Sequence, residues 1–385
     1  MKEPIRIMTQ TTLKYNFAFM LTFLAFMLLA GCGKNNSNPG GQELQGDGSR
    51  KNLVLLMGDG MGLSQITAAS IASGGMLNLS RCRHIGLQKV YASDQLVPSS
   101  ASTGTAMFCG VKTKYLHIGV DHQGNTVPNI AEILESEGFS TGLITTSFIA
   151  DATPATFYAH NADRYAQEAM AAELPGSGID VIIGGGRRHL NARTDSLNLL
   201  DSMSAYGYRV FDNLEAALQV TEGKIACFTN EYKPLKVSAG RGDMLSRSAG
   251  KAVNLLKNND KGFLLLVEGA QIDWACHDHD AEYMLEEMLD FDRAVGKMLD
   301  FADADGNTLV VILGDHETGG YAVSGGNEQS GEVESQFTTT NHTAAMIPVF
   351  AYGPGADQFT GVYENTELFE KFLNYFAVQN PVQKQ

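Results

Sequence analysis

The sequence is short of positive charge. Lys and Arg number 28 against 43 Asp and Glu, which gives a formal net charge of −15. A chain this acidic offers no broad basic surface to a phosphodiester backbone, so we expect no nucleic-acid partner. An anionic ligand would have to be attracted locally, by metal ions and arginine, because the electrostatic field of the negatively charged protein repels it.

Several familiar signatures are also missing. The triple glycine at 184–186 lacks the Lys-Ser/Thr of a phosphate-binding P-loop and the spacing of a dinucleotide fingerprint, so we predict a turn there. No internal repeat is present. Four cysteines lie beyond residue 50, and none has the spacing of a metal finger. Disulfides, in any of three pairings, and buried free thiols are equally compatible with these four: Cys82, Cys109, Cys227 and Cys276.

The chain has no apolar run long enough to be a typical membrane span. The uncharged stretch at 15–30 has sixteen residues, whereas a span needs about 20. It follows three basic residues, which is the pattern of a signal peptide. The next residues, Leu29-Ala30-Gly31-Cys32, resemble a bacterial lipoprotein box with cleavage before Cys32 and lipid on its sulfur. An uncleaved N-terminal anchor helix is the less favoured alternative.

These features predict three segments. Residues 1–31 form a lipoprotein signal peptide, residues 32–51 a flexible polar tether, and residues 52–380 one large α/β domain. Cleavage removes three basic residues and one acidic residue, so the mature charge is −17. The predicted location is the periplasm or cell surface, with the protein anchored to a bacterial membrane through lipid on Cys32.

Three short apolar runs each stop at polar residues suited to metal binding. The run at 53–57 precedes Asp59, the run at 263–267 precedes Glu268, and the run at 309–313 precedes Asp315 and His316. Such runs are typical of strands buried on both faces of a parallel sheet. Since ligands bind outside the carboxyl ends of these strands, we expect the side chains to meet at one edge.

Other patterns extend the same α/β architecture. Further strands are predicted at 141–145, 180–183, 225–228 and 347–352. Helices are predicted at 243–256 and 281–301, and a third from a cap at Ser64 through Ser73.

Two groups of residues have the chemistry of a multi-metal hydrolytic site. Asp273 and His277 are four residues apart, so a helix places both on one face, and His342 can complete their site. Asp151, Thr153 and Glu268 supply oxygen ligands of the kind that Mg²⁺ prefers.

Two further features can serve a phosphate. Arg164 can form two hydrogen bonds to a phosphoryl group. The hydroxyl-rich stretch at 98–106 precedes a helix and contains either an activated nucleophile or only a helix cap.

Several short motifs along the chain resemble those of alkaline phosphatases and occur in the same order. They are Gly58-Asp59-Gly60-Met61-Gly62, Gly110-Val111-Lys112-Thr113, Asp151-Ala152-Thr153-Pro154 through His160 and Arg164, Glu268-Gly269-Ala270 with Asp273 and His277, Gly314-Asp315-His316, His342-Thr343 and Tyr352-Gly353-Pro354. The resemblance implies a large mixed, mostly parallel sheet between helices, with a short crown insertion at 318–341. It also implies hydrolysis of phosphate monoesters, with inorganic phosphate as product, through a phosphoserine intermediate.

The resemblance further implies two Zn²⁺ ions, one Mg²⁺ ion and two catalytic residues. One zinc would be bound by Asp273, His277 and His342, and the other by Asp59, Asp315 and His316. Magnesium would be bound by Asp59, Asp151, Thr153 and Glu268. Counting back from Gly110 makes Ser100 the nucleophile, and Arg164 would hold the phosphate.

The chain departs from the family pattern at two positions. Ser99 replaces the usual aspartate that helps to orient the phosphate-binding arginine, and Trp274 stands where some members carry Lys or His. Related enzymes with the same metal scaffold cleave phosphodiesters or sulfates, but the sulfatase Cys/Ser-x-Pro-x-Arg signature is absent. A lipoprotein that binds metal or phosphate without turnover is a further alternative, which the complete ligand set disfavours. The prediction allows a homodimer.

Overall fold

The computed structural model describes residues 50–381, so the predicted signal peptide, Cys32 and the tether up to residue 49 lie outside the described residues. The strands are β1 (Lys51–Gly58), β2 (His84–Lys89), β3 (Ser140–Phe148), β4 (Val181–Gly185), β5 (Arg209–Phe211), β6 (Ile225–Phe228), β7 (Gly262–Gly269), β8 (Thr308–Gly314), β9 (Glu317–Thr318), β10 (Ala322–Asn327), β11 (Glu332–Gln336), β12 (His342–Thr343), β13 (Ile347–Tyr352) and β14 (Gly361–Glu364). The α-helices are α1 (Leu63–Ala72), α2 (Ser100–Cys109), α3 (Ile130–Ser136), α4 (Ala152–Ala155), α5 (Gln167–Glu173), α6 (Arg188–Asn191), α7 (Leu199–Ala205), α8 (Leu214–Leu218), α9 (Met244–Leu256), α10 (Gln271–His277), α11 (Ala281–Asp305) and α12 (Glu367–Phe376).

One large sheet contains ten of the described strands. Their order is β14-β2-β13-β8-β1-β7-β3-β4-β6-β5. Neighbouring strands are parallel except at β13, which is antiparallel to both β8 and β2. This mixed, mostly parallel sheet between helices confirms the predicted fold class.

Both faces of the sheet are covered by helices. Within β1, Leu53 and Leu55 enter one core, which α2, α3 and α12 complete. Val54 and Leu56 enter the other, against α1, α9 and α11. A strand buried on both faces needs apolar residues at every position, which explains the unbroken run at 53–57. Burial of each such side chain contributes roughly 1.5–3 kcal/mol.

Two local predictions were wrong in detail. Helix α1 is capped by Gly62, whose N–H donates to the side chain of Gln65, so Ser64 lies inside the helix and does not cap it. The triple glycine is not wholly a turn, because Gly184 and Gly185 end strand β4. The turn comes at Gly186, which has a positive φ of 90°.

The crown region at 318–341 is small. It contains the two-stranded hairpin of β10 and β11, and β9 pairs with β12 at its base. That pairing places His342 opposite Thr318. None of the helices among residues 50–381 is both long and apolar enough to cross a membrane.

The cysteines of the described residues are buried free thiols, so the free-thiol alternative is the one observed. Burial raises the pKa of Cys82 and Cys227 to about 12. Thiols with such a pKa are almost entirely protonated at neutral pH and are poor nucleophiles and metal ligands. These cysteines therefore belong to the packing of the core.

Candidate metal and phosphate site

The carboxyl ends of three central strands bring acidic side chains together. Strand β1 pairs with β7 and β8 in a register that aligns Met57 with Glu268 and Gly58 with Gly314. Asp59 and Asp315 follow directly after these aligned positions. The structure therefore places Asp59, Glu268 and Asp315 at one edge of the sheet, as the three apolar runs predicted.

The first cluster joins α10 to β12. His277 Nε2 lies 3.3 Å from Asp273 Oδ2 and 3.1 Å from His342 Nε2. His342 Nε2 lies 3.5 Å from Asp273 Oδ1. Helix α10 accounts for the first contact, because residues four apart share a helix face. One carboxylate and two imidazoles thus converge on a common point.

Hydrogen bonds set the orientation of both imidazoles in this cluster. His277 Nδ1 donates to the carbonyl of Thr340, and His342 Nδ1 donates to the carbonyl of Pro98. A carbonyl only accepts, so in each neutral ring the proton is on Nδ1 and the lone pair is on Nε2. A carbonyl partner of this kind commonly orients a metal-binding histidine.

The second cluster is buried, and it joins the ends of β1 and β8. His316 Nε2 lies 3.1 Å from Asp315 Oδ2 and 3.5 Å from Asp59 Oδ1. The hydroxyl of Thr318 donates to Asp273 and accepts from His316 Nδ1, which again leaves the lone pair on Nε2. The His316 ring also stacks on the ring of His342, with centroids 3.6 Å apart. His316 therefore lies at the junction of the two clusters.

The third group offers only oxygen atoms. Thr153 Oγ1 lies 3.4 Å from Asp59 Oδ2, and the hydroxyl of Thr145 donates to Glu268. Asp151 caps α4 by accepting from the N–H of Ala152, and its other oxygen accepts from Ser147 at 2.6 Å. The same carboxylate lies 3.6 Å from Arg164 Nη2. Asp151 thus connects this group with the arginine.

The buried acids in these groups repel one another. Burial first, and then the neighbouring carboxylates, raise the pKa of Glu268 to about 8 and that of Asp315 to about 7. The same causes raise the pKa of Asp59 well above its usual value. Asp273 differs from these acids. Burial alone would raise its pKa, but the imidazoles of His277 and His342 have the larger effect and lower it. Packing these carboxylates together disfavours their charged forms, and a bound cation would favour them.

The donor atoms fit bound cations. Asp59 Oδ1 is buried and has no hydrogen-bond partner. The sets Asp59–Asp315–His316 and Asp273–His316–His342 each hold ligand atoms within 4.8 Å of one another. An unpartnered carboxylate oxygen beside imidazole lone pairs suits a divalent metal, and burying such an oxygen without a partner is costly.

Ser100 places its hydroxyl beside the Nε2 atom of His316. It is the first residue of α2, and its Oγ lies 3.3 Å from His316 Nε2. The neighbouring hydroxyls have other partners: Ser102 bonds to the backbone of Ser99, and Thr103 donates to the Ser99 carbonyl at 2.9 Å. Thr103 also lies 3.4 Å from Asp315. A serine at the start of a helix lies at the positive end of the helix dipole.

Some contacts at the site had no signal in the sequence. Thr318 and Thr145 bind site carboxylates, yet a lone threonine is too common to single out. The side chain of Trp274 lies under Lys233, whose Nζ is 4.3 Å from the ring centroid. This cation was not foreseen, because it comes from a segment about forty residues away in sequence.

Two further histidines near the motifs have partners outside the clusters described above. His160 lies 3.4 Å from both Glu132 and Glu173. His279 Nε2 donates to the carbonyl of Thr339, and its ring stacks on Phe337.

Comparison with known proteins agrees with this geometry. The chain matches the alkaline phosphatase family over residues 50–334. It is 30% identical to alkaline phosphatase H of Pseudomonas aeruginosa, covering 83% of each chain. It is 29% identical to alkaline phosphatase of Escherichia coli, covering 84% of this chain and 85% of that one. The solved structure of alkaline phosphatase from the Antarctic bacterium TAB5 superposes with a TM-score of 0.81 at 36% identity, covering 86% of this chain and 99% of that one.

Proposed function

This chain belongs to the alkaline phosphatase family and is a phosphatase, and from that premise we propose that it hydrolyses phosphate monoesters through a phosphoserine on Ser100. One observation carries the proposal. Ser100 Oγ lies at the N-terminus of α2, 3.3 Å from His316 Nε2 and therefore beside both carboxylate–imidazole clusters. A free serine hydroxyl is a weak nucleophile, and a cation held by these clusters would activate Ser100.

We propose two zinc ions and one magnesium ion as cofactors. The sets that contain imidazoles suit zinc, and the all-oxygen set suits magnesium. The zinc sets are Asp273, His277 and His342, and Asp59, Asp315 and His316. The magnesium set is Asp59, Asp151, Thr153 and Glu268. When bound, such cations supply Lewis acidity that favours the serine alkoxide and neutralises charge on the phosphoryl group.

The protein's own groups account for the rest of the reaction. Ser100 Oγ attacks phosphorus as the bond from phosphorus to the ester oxygen breaks, and the proton that Ser100 loses ends on that oxygen, so the alcohol leaves. Water then attacks the phosphorus of the phosphoserine, the bond from phosphorus to Oγ breaks, and a proton from the water returns to Oγ. This step releases inorganic phosphate and restores the hydroxyl. The guanidinium of Arg164 donates hydrogen bonds to phosphoryl oxygens, and the N-terminus of α2 favours the negative charge beside Ser100.

An ester panel tests this proposal. The purified protein, loaded with zinc and magnesium, is assayed with an aryl phosphate, a bis-aryl phosphate and an aryl sulfate. We expect the monoester to have the highest kcat/KM by orders of magnitude. Preference for the diester or the sulfate would assign the protein to the alternative reactions that this metal scaffold supports.

We also propose that the enzyme works outside the cytoplasm, attached to a bacterial membrane by lipid on Cys32. Support comes from the sequence Leu29-Ala30-Gly31-Cys32 after an apolar core of signal-peptide length.

The mechanism does not require an oligomer, and sedimentation of the mature protein distinguishes a monomer from a homodimer.

A further inference from the structure

Ser99, next to the proposed nucleophile, has a hydrogen bond that leaves its own helix. Its Oγ accepts from the N–H of Ser102 at 3.3 Å and so caps α2. The same hydroxyl donates its proton to the carbonyl of Tyr115, sixteen residues along the chain. Capping needs only the acceptor, so the donated bond is a separate function of the hydroxyl.

The segment that Ser99 holds also binds the backbone of Arg164. Directly after Tyr115, the carbonyl of Leu116 accepts from the N–H of Arg164 at 3.0 Å. Two residues on, Ile118 exchanges two backbone hydrogen bonds with Asn161, each 2.8 Å long. Residues 115–118 therefore form a short connection between the start of α2 and the arginine.

Helix α2 holds this connection at a second point. Thr105 Oγ1 donates to the carbonyl of His117 at 3.1 Å and accepts from the N–H of Gly119 at 3.0 Å. Ser99 fixes the end nearest the nucleophile, and Thr105 fixes the end nearest the Asn161 pairing. The position of the arginine backbone relative to α2 is thus set by hydrogen bonds on both sides.

The side chain of Arg164 is held less firmly than its backbone. Among residues 50–381, Asp151 is the carboxylate within 4 Å of its guanidinium, and the separation is 3.6 Å. The Tyr165 ring lies 6.0 Å from the guanidinium carbon. A single long, partly exposed ion pair restrains a flexible side chain weakly. The hydrogen bond from the backbone of Arg164 to Leu116 therefore helps to set which positions the guanidinium can reach.

We propose that Ser99 is a positioning residue for phosphate binding. Its hydroxyl fixes Tyr115 and Leu116 against α2, and this sets the location of Arg164 relative to Ser100. The inference rests on the proposed roles of Ser100 and Arg164. It explains how a chain without an acidic residue at position 99 still places its arginine.

The test compares three substitutions in the metal-loaded enzyme. Ser99→Ala removes the bond to Tyr115, Ser99→Thr retains a hydroxyl, and Ser102→Ala weakens the same helix start without touching Tyr115. We expect Ser99→Ala to raise the inhibition constant for inorganic phosphate and KM about fivefold, the effect of one lost hydrogen bond, with a smaller change in kcat. Ser99→Thr should stay near wild type, and so should Ser102→Ala.

A double-mutant cycle separates positioning from general damage. In an Arg164→Ala background, Ser99→Ala should add little to the loss of phosphate binding, because the group that it positions is already gone. An undiminished effect in that background would overturn the proposal. So would equal effects of Ser99→Ala and Ser102→Ala.

Hydrogen–deuterium exchange gives a readout that does not depend on turnover. Amides at 114–118 and at 163–165 should exchange faster in Ser99→Ala than in Ser102→Ala, since the Leu116–Arg164 bond lies in that connection. Unchanged exchange would refute the positioning role even if the ester panel succeeds. Failure of wild type on every ester would refute the proposed function, while the exchange result would still show whether Ser99 holds the connection.

Discussion

His277 and His342 direct their Nε2 atoms at each other across 3.1 Å. Each ring has its other nitrogen committed to a backbone carbonyl. Two neutral rings held this way would face each other with lone pairs, so a proton or a metal ion has to lie between them. Asp273, within 3.5 Å of both nitrogens, supplies the negative charge that favours a divalent cation there.

This relationship predicts the zinc content of a variant. His342→Ala should lower bound zinc by about one ion per chain and leave magnesium in place, because the third group contains no imidazole. Elemental analysis of purified protein measures both metals. His122→Ala, at an exposed position, is the matched control and should keep the wild-type content. Full zinc content in His342→Ala would refute its assignment as a ligand.

The all-oxygen group predicts the complementary result. Glu268→Ala should lose magnesium and most activity but retain zinc, because Mg²⁺ favours oxygen ligands. In wild type, we expect both metals, with more zinc than magnesium. If zinc alone restored full activity and Glu268→Ala had no effect, the magnesium assignment would be wrong.

The sequence predicted this edge of the sheet well for a physical reason. Buried parallel strands need continuous apolar runs, and such runs end where the chain meets solvent or ligand, so Asp59, Glu268 and Asp315 were visible as interruptions. The i,i+4 spacing of Asp273 and His277 was equally readable, because the helix repeat imposes it.

Other parts of the site were not readable, because they depend on contacts between distant segments. The Thr318 hydroxyl bridges Asp273 and His316, and Asp151 reaches Arg164, but neither pairing has a sequence pattern. The donation from Ser99 to Tyr115 also requires the fold. Composition could not identify it, because a serine at a helix start already has a sufficient role as a cap.

The raised pKa of His160 predicts that this residue contributes to the free energy of unfolding in a pH-dependent way. Burial alone would lower its pKa, but the hydrogen bonds to Glu132 and Glu173 raise it to about 9. The folded pKa is above the unfolded value of about 6.5, so the contribution is complete below about pH 6.5 and disappears as pH rises through 9. His160→Gln should therefore destabilise the protein more at pH 6 than at pH 10.

The expected difference for His160→Gln is about 1 kcal/mol, reduced from the full shift because the carboxylates are partly exposed to water and salt. Urea unfolding at the two pH values measures it, with His122→Gln as the exposed control. An equal loss at both pH values would show that His160 acts by packing alone.

Cys32 predicts the form of the mature N-terminus. We expect the purified protein to begin at Cys32 and to carry lipid, because Leu29-Ala30-Gly31-Cys32 follows an apolar core of signal length. Intact-mass analysis measures the modification directly. Cys32→Ala should move the protein into the soluble periplasmic fraction. An unmodified Cys32 in the wild type would exclude the anchor.

Ser100, and not Ser99, Ser102 or Thr103, should carry phosphate during turnover. Ser99 and Ser102 are engaged with backbone groups, and Thr103 donates to the Ser99 carbonyl, whereas Ser100 Oγ lies 3.3 Å from His316 Nε2. Acid quenching followed by peptide mapping locates the phosphate. Ser100→Ala should lose most activity and keep its metals, since Ser100 is outside the proposed ligand sets. Some slow turnover can survive by direct attack of water on the ester.

Thr103 also lies near Asp315, so Thr103→Val is the informative control and should still form phosphoserine. Phosphate found reproducibly on any of the other three hydroxyls would place the nucleophile at another residue of the 98–106 stretch.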